Sequence, residues 1–98
     1  MNLVIYQNEA NLLSEEIKKK FKAKYKHFNL RIYYLLENEI LQGITLEVEE
    51  PLLHIVRGDH YTLSGLFSAG DFVEYTMIKL NDIVINILKS YYGDIKLW

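Results

Sequence analysis

Residues 30–49, which read LRIYYLLENEILQGITLEVE, decide the fold of this 98-residue chain. The first seven residues predict a strand, the ENE that follows predicts a turn, and residues 40–49 predict the partner strand. In the partner, apolar and polar residues alternate: Ile44, Leu46 and Val48 take one face, and Thr45, Glu47 and Glu49 take the other. This alternation is typical of an antiparallel strand with one face in the core and one in water. Pro51 ends it, because proline cannot donate to the strand ladder.

A helix is predicted ahead of this hairpin. Asn8 can cap its start, and its apolar positions recur every three or four residues: Leu13, Ile17, Phe21, Tyr25 and Phe28. Lys24 falls on the apolar side of the helix, so either its side chain extends to water or the helix ends near it. Residues 2–6, at the start of the chain, predict a short buried strand.

After Pro51 the sequence predicts a second hairpin, with residues 52–56 and 60–64 as its strands. The turn would be centred on Gly58-Asp59, which is an acceptable two-residue hairpin turn. Ile55, Val56 and Tyr61 supply the apolar and aromatic character expected of strands.

The C-terminal third predicts a long helix and a last strand. Ser68 or Asp71 can cap a helix that runs to about Tyr92 and ends at Gly93. Residues 94–98 can then close the sheet as a short strand. We therefore expect one α+β domain over residues 1–98, with two helices on one face of a small antiparallel or mixed sheet. With the second hairpin treated as an insertion, the order is the β-α-β-β-α-β of ferredoxin-like folds.

The composition limits the classes of function. Half of the residues are hydrophobic and 24% are charged, which is ordinary globular composition. No apolar run approaches the roughly 18 residues of a membrane span, and the first residues lack the pattern of a signal peptide. We therefore expect a cytoplasmic protein that does not contact a membrane. The chain has no cysteine, which excludes disulfides and thiolate chemistry. Its Ile-, Lys-, Asn- and Tyr-rich composition is compatible with an AT-rich genome, and with its small size it is typical of a virus or mobile element. Scarce glutamine and absent cysteine are equally compatible with a thermophile.

Charge is distributed unevenly along the chain. Residues 1–32 carry a balance of +4 and residues 33–98 a balance of −6. Four lysines lie within about 100° of one another on the first helix, opposite its apolar positions: Lys18, Lys19, Lys22 and Lys26. This lysine ridge predicts contact with an acidic protein or with nucleic acid; the alternative is a solvated helix face. A pI of 5.9 and the absence of arginine among these lysines argue against nucleic acid.

The second helix has more apolar surface than one sheet requires. Opposite its broad apolar face lie Ile78, Ile85 and Tyr92, each seven residues from the next. An apolar stripe on the side away from a sheet indicates a second contact. That contact is a second copy of the helix, with Asn81 fixing the register, or cover from residues 52–67 of the same chain. The remaining alternatives are a different partner protein and a chance pattern.

No pattern of catalytic or metal-binding residues stands out. In a hairpin with a two-residue turn at Gly58-Asp59, His54 and His60 point to opposite faces, so they cannot share an ion, and we expect His54 to be partly buried. Ser64 and Ser68 suit turns and caps and do not form a nucleophile elbow. We therefore predict no enzyme activity, no metal and no cofactor.

These patterns together predict a small non-enzymatic protein that binds other macromolecules. We expect it to act as a homodimer joined through the second helix, with the lysine ridge open to an acidic protein partner. A regulator or inhibitor encoded by a virus or mobile element is this kind of protein. The second hypothesis is an accessory protein that binds nucleic acid through the same lysine ridge.

Overall fold

Three antiparallel strands form one sheet in the order β1-β2-β3, and two helices accompany it. The computed structural model describes residues 3–66 and 68–92, with the side chain of Tyr92 outside that description. The elements are α1 (Gln7–Lys24), β1 (Asn29–Glu37), β2 (Ile40–Glu50), β3 (Ile55–Thr62) and α2 (Ala69–Tyr92). The predicted α+β class is confirmed, but the order α-β-β-β-α replaces the predicted ferredoxin-like order.

The hairpin predicted at residues 30–49 is confirmed. Its turn is Asn38-Glu39, whose φ angles of 53° and 66° are both positive. Two successive positive φ angles belong to the turn type whose twist matches that of paired strands. In β2 the three predicted inward residues, Ile44, Leu46 and Val48, are all buried.

The second predicted hairpin is wrong. Residues 55–62 form one continuous strand, and β2 is joined to it through the turn at residues 51–54. Gly58 lies opposite Glu47 in this pairing, where an added Cβ would come within 2.8 Å of the Leu46 carbonyl oxygen. Glycine at this position therefore permits the backbones of two neighbouring strands to approach closely. From the sequence alone, such a glycine cannot be distinguished from a glycine in a turn.

The turn at residues 51–54 is held by a buried carboxylate. Glu50 is 6% exposed, and its Oε2 accepts a hydrogen bond of 2.5 Å from the backbone N–H of Leu53. His54 closes the turn with a φ of 55°. His54 is exposed, so the expectation that it is partly buried is wrong.

The outermost predicted strands also differ from expectation. Residues near the N-terminus make a single antiparallel bridge, between Tyr6 and Ile40, instead of a strand. The Leu41 N–H donates to the Ile5 carbonyl at 2.8 Å, which fixes the fully buried Ile5 in the core. The predicted strand at residues 94–98, together with Gly93, lies outside the described residues.

Helix α1 packs through a narrow stripe of small and large residues. Ala10, Ser14, Ile17 and Phe21 are buried. The hydroxyls of Ser14 and Tyr34 form a hydrogen bond, so the one polar residue of this stripe has a partner on β1. The helix ends at Lys24, which is one of the two outcomes predicted for that lysine. The predicted cap by Asn8 is wrong, because the helix begins at Gln7 without a side-chain cap.

Helix α2 begins as predicted. The Ser68 hydroxyl accepts a hydrogen bond of 3.0 Å from the Asp71 N–H, which is the geometry of a helix cap. The helix buries a broad apolar face against the sheet: Phe72, Val73, Leu80, Ile83, Val84 and Ile87.

Both helices lie on one face of the sheet, as predicted. Side chains of β1 that face this layer meet α1, through Tyr34 and Ser14, and those of β3 meet α2, through Tyr61 and Thr76. The helices run in the same direction, along that of β2. Helix α1 begins beside the β1–β2 turn, where the Gln7 N–H donates to the Glu39 carbonyl. Successive residues of α2 contact Tyr61, Asp59 and Arg57, so α2 runs opposite to β3. Helix α1 therefore covers the β1 side of the sheet and α2 covers the β3 side.

The turn at Asn38-Glu39 gives a first prediction. A non-glycine residue in the left-handed region costs about 1–2 kcal/mol, and glycine at a compatible site regains part of this despite its larger unfolded-state entropy. We expect Glu39→Gly to raise the free energy of unfolding by about 0.5–1 kcal/mol, measured by urea denaturation. Asn38→Gly is the matched control and should not stabilise, because asparagine already tolerates this conformation. A less stable Glu39→Gly variant would contradict the turn geometry.

Candidate interaction surfaces

The exposed side of α2 keeps the apolar stripe that the sequence predicts. Ile78 is 55% exposed and Ile85 is 41% exposed, while Tyr92 ends the helix. Ile78 lies beside Gly65 and Leu66, so the segment at residues 52–67 reaches the stripe but leaves most of Ile78 open. Two large aliphatic side chains, two helical turns apart, therefore face outward from the sheet.

Asn81 occupies a different place from the one predicted. Its Oδ1 accepts hydrogen bonds from the Tyr25 hydroxyl and from Lys24 Nζ, the latter at 3.4 Å. These contacts join α2 to the end of α1. Asn81 is therefore hydrogen-bonded within its own chain, and a second copy of α2 is not needed to explain a polar residue at this position.

Charged residues flank the stripe symmetrically. Glu74 lies four residues before Ile78, and Lys89 lies four residues after Ile85. Both charged side chains are exposed, and neither forms an ion pair within the described part of the chain. Along this side of the helix the order is acid, isoleucine, acid, isoleucine, base, with the exposed Asp82 between the two isoleucines. Glu74 and Lys89 are spaced evenly about the midpoint between the isoleucines, and this spacing is visible in the sequence.

The lysine ridge is divided by the end of α1. Lys18, Lys19 and Lys22 lie in the helix, whereas Lys26 follows it. Lys22 Nζ donates to the Lys26 carbonyl at 3.0 Å, which satisfies a carbonyl beyond the end of the helix. Lys18 Nζ lies 4.0 Å from a Glu15 carboxylate oxygen. All four lysines are exposed.

Two of these lysines lie beside β1, which is an edge strand of the sheet that the described residues form. A shallow groove between α1 and the start of β1 is lined by Lys18, Phe21, Lys22, Phe28, Asn29 and Leu30. The opposite side of α1, with Glu16 and Lys20, faces α2 across a larger groove of about 590 Å³. Lys18 and Lys22 therefore lie on the side of α1 that faces away from α2, toward β1.

A polar seam between β3 and α2 was not predicted. Asp59 accepts a hydrogen bond of 3.2 Å from Lys79 Nζ, and this contact raises the pKa of Lys79. Arg57 lies 3.5 Å from the Ser90 hydroxyl. Arg57 and Asp59 pair with the inward-facing Val48 and Leu46 of β2, so their side chains also face the helices. The predicted turn would have placed them in a loop, which is why the sequence did not reveal this seam.

Tyr61 lies in the same seam and is nearly inaccessible to solvent. Its hydroxyl forms a hydrogen bond with that of Thr76, which also donates to the Phe72 carbonyl at 2.7 Å. Burial raises the pKa of Tyr61 to about 12, although the hydrogen bond to Thr76 acts in the opposite direction.

The outer face of the sheet has no helix against it in the described part of the chain. Arg31 and Glu47 form a cross-strand ion pair there at 2.8 Å. Tyr33, 52% exposed, lies in the next row, level with Thr45 and His60. Tyr33 is the only one of the tyrosines on the three described strands that faces outward, since Tyr34 and Tyr61 face the helices.

The described residues contain no cluster of three side chains that could hold a metal ion. His54 closes the turn before β3, and His60 lies six residues further along the chain. Six residues of extended strand span about 20 Å. The two histidines are thus kept apart by distance along a strand, not by the two faces of a hairpin.

Comparisons with protein-family models, with curated proteins and with solved structures find no match for this chain. No described helix has both the length and the apolar character needed to span a bilayer.

The buried tyrosine predicts a specific loss of stability in alkali. Tyrosine has an ordinary pKa of 10.0, and that of Tyr61 is about 12 in the folded protein. Between these values the unfolded chain loses the proton that the folded protein keeps, so the free energy of unfolding falls by about 1.4 kcal/mol per pH unit. Below pH 10 both states hold the proton and this contribution is constant.

We expect the wild type to lose about 2 kcal/mol more than Tyr61→Phe between pH 10 and pH 12. Urea unfolding at a series of pH values measures this difference, and titration of the other tyrosines and the lysines cancels between the two proteins. Parallel pH profiles would show that Tyr61 is not buried as described.

Proposed function

We propose that this protein is a non-enzymatic binding protein that self-associates through the outer side of α2. The observation that supports this most directly is the exposure of Ile78 and Ile85, at 55% and 41%, on a helix whose other face already fills the core. An aliphatic stripe on the side of a helix turned away from its sheet gains free energy when it is covered.

The charges beside the stripe favour a second copy of α2 as the cover. Most soluble oligomers are symmetric, and in a two-fold interface residue i contacts residue j while j contacts i. If two α2 helices pair in opposite directions about the midpoint of the stripe, Ile78 lies opposite Ile85 of the second copy. The same arrangement puts Glu74 opposite Lys89 of the second copy, twice. Parallel pairing would instead place Glu74 opposite Glu74 and Lys89 opposite Lys89, whereas Asp82 lies near its own copy in either arrangement.

The stripe can be tested with two lysine substitutions. We expect Ile78→Lys with Ile85→Lys to give a folded monomer, because both side chains are already partly in water and lysine stems are tolerated at such sites. Sedimentation equilibrium over a range of concentrations measures association, and circular dichroism measures folding. Leu12→Lys with Leu52→Lys is the matched control, since it adds the same charge at two exposed leucines outside the stripe. An unchanged dimer in the stripe variant would rule out this interface.

The direction of pairing can be tested by exchanging charges. Glu74→Lys alone and Lys89→Glu alone should each weaken the dimer, because each places like charges opposite one another in the antiparallel arrangement. The combined variant restores opposite charges and should recover the wild-type dissociation constant to within about threefold. Additive weakening in the combined variant would contradict antiparallel pairing while leaving dimerisation itself intact.

Nucleic-acid binding is the second candidate, and the exposed lysines of the ridge favour it. Only Lys18 of the four lies within 4.0 Å of a carboxylate in the described part of the chain. If the ridge binds duplex DNA, the affinity should fall by about 0.9 log unit per phosphate contact for each log unit of salt. Fluorescence anisotropy with a labelled 20-base-pair duplex measures this slope. No binding at low salt would exclude the candidate, whereas a steep slope that Lys19→Glu and Lys22→Glu both reduce would support it.

A further inference from the structure

The two edges of the sheet differ in a way that points to a binding site. An edge strand presents unpaired N–H and C=O groups, and proteins commonly protect such edges with charged residues that point inward. Edge strand β3 carries Arg57 and Asp59 on its inner face. Edge strand β1 carries no charge there: its inner residues are Leu30, Ile32, Tyr34 and Leu36, all half-buried.

Strand β1 is also long and uninterrupted enough to pair with another chain. It spans nine residues without proline or lysine, and the irregularity in its pairing lies near its end, between Leu35 and Leu36. On its outer face Leu35 is 65% exposed and Tyr33 is 52% exposed. A strand added here would gain backbone hydrogen bonds together with apolar neighbours on its outer side.

The lysines above this edge indicate the charge of the added strand. Lys18 and Lys22 line the groove between α1 and the start of β1. They are four residues apart on a helix, a rise of about 6 Å, whereas alternate residues of a strand are about 6.7 Å apart. Carboxylates at alternate positions of an added strand would therefore match the spacing of these lysines.

The existing contacts of the two lysines do not prevent this. The pair between Lys18 and Glu15 is exposed and 4.0 Å long, and such surface pairs contribute little. Lys22 donates to a backbone carbonyl, which leaves two of the three hydrogens of its ammonium group for another acceptor.

We propose that an extended acidic segment of a partner protein binds as a fourth strand along β1, with carboxylates at alternate positions against Lys18 and Lys22. This inference rests on the acidic protein partner that the lysine ridge predicts, and specifies how that partner binds. It does not depend on self-association through α2.

The first test uses a designed probe, fluorescein-labelled (Glu-Val)4 with blocked ends, and measures anisotropy. One face of this peptide in extended form is acidic and the other is apolar. We expect it to bind, and (Lys-Val)4 of the same length not to bind. Failure of (Glu-Val)4 to bind at millimolar protein would overturn the proposal.

A pair of matched variants locates the site. Lys18→Glu with Lys22→Glu should weaken binding of (Glu-Val)4 at least tenfold. Lys19→Glu with Lys20→Glu makes the same change of charge on the sides of α1 that do not face β1, and should weaken binding less than threefold. Equal weakening in both variants would show general attraction to a positive helix and would overturn the proposal. The proposal would also be overturned if a 20-base-pair DNA duplex binds through Lys18 and Lys22 and (Glu-Val)4 does not bind.

Methylated peptides separate strand addition from simple charge attraction. N-methylation of the four valines or of the four glutamates blocks backbone donors on opposite edges of the extended peptide. We expect one of these two peptides to lose binding and the other to keep it. Both methylated peptides could instead bind as tightly as (Glu-Val)4, with the Lys18→Glu, Lys22→Glu variant still binding weakly. That result would support an acidic partner at these lysines but would show that it does not bind as a fourth strand. Sedimentation of the Lys18→Glu, Lys22→Glu variant should show unchanged self-association, so the two proposals fail independently.

Discussion

The pairing of β2 with a strand on each side determines the rest of the structure. Because side chains alternate along a strand, the register places Ile44, Leu46 and Val48 on one face together with the inner residues of both neighbours. A shift of one residue would turn this apolar set outward and leave both helices without a surface to cover. The positions of α1 over β1 and of α2 over β3, and therefore of both candidate surfaces, follow from this one register.

The two helices solve different problems on that surface. Helix α1 buries a narrow stripe and supplies Ser14 to the hydroxyl of Tyr34, which allows a tyrosine to face the core with its hydroxyl satisfied. Helix α2 buries a wide apolar face and also satisfies the charged and hydroxyl groups that β3 directs inward, through Lys79 and Thr76. The charges on β3 are consequently tied to α2, whereas the inner face of β1 carries no charge. The difference between the two sheet edges is a consequence of this division.

Local patterns predicted much of the fold. Alternation predicted the 30–49 hairpin. The helical wheel allowed two outcomes for Lys24, and the structure shows the one in which α1 ends there. The prediction of a second hairpin was wrong because of Gly58. A glycine in a turn and a glycine at a close backbone contact within a sheet look the same in the sequence. The mistaken turn then placed Arg57 and Asp59 in a loop and concealed the seam with α2. For the surfaces, helical spacing sufficed to predict the exposed Ile78 and Ile85, since their position depends on one element only. The free edge of β1 depends on strand order, which no local pattern contains.

The two proposed surfaces are compatible in one assembly. The stripe lies on the side of α2 turned away from the sheet, and the edge of β1 lies beyond α1, so covering one leaves the other open. A two-fold dimer through α2 would carry two β1 edges related by the same symmetry, each with its own Lys18 and Lys22. A partner with two acidic segments could then occupy both edges, and the second binding event would occur at the effective concentration set by the linker between the segments. Self-association would in that way strengthen binding at a surface it does not touch, without any change in the contacts of a single edge.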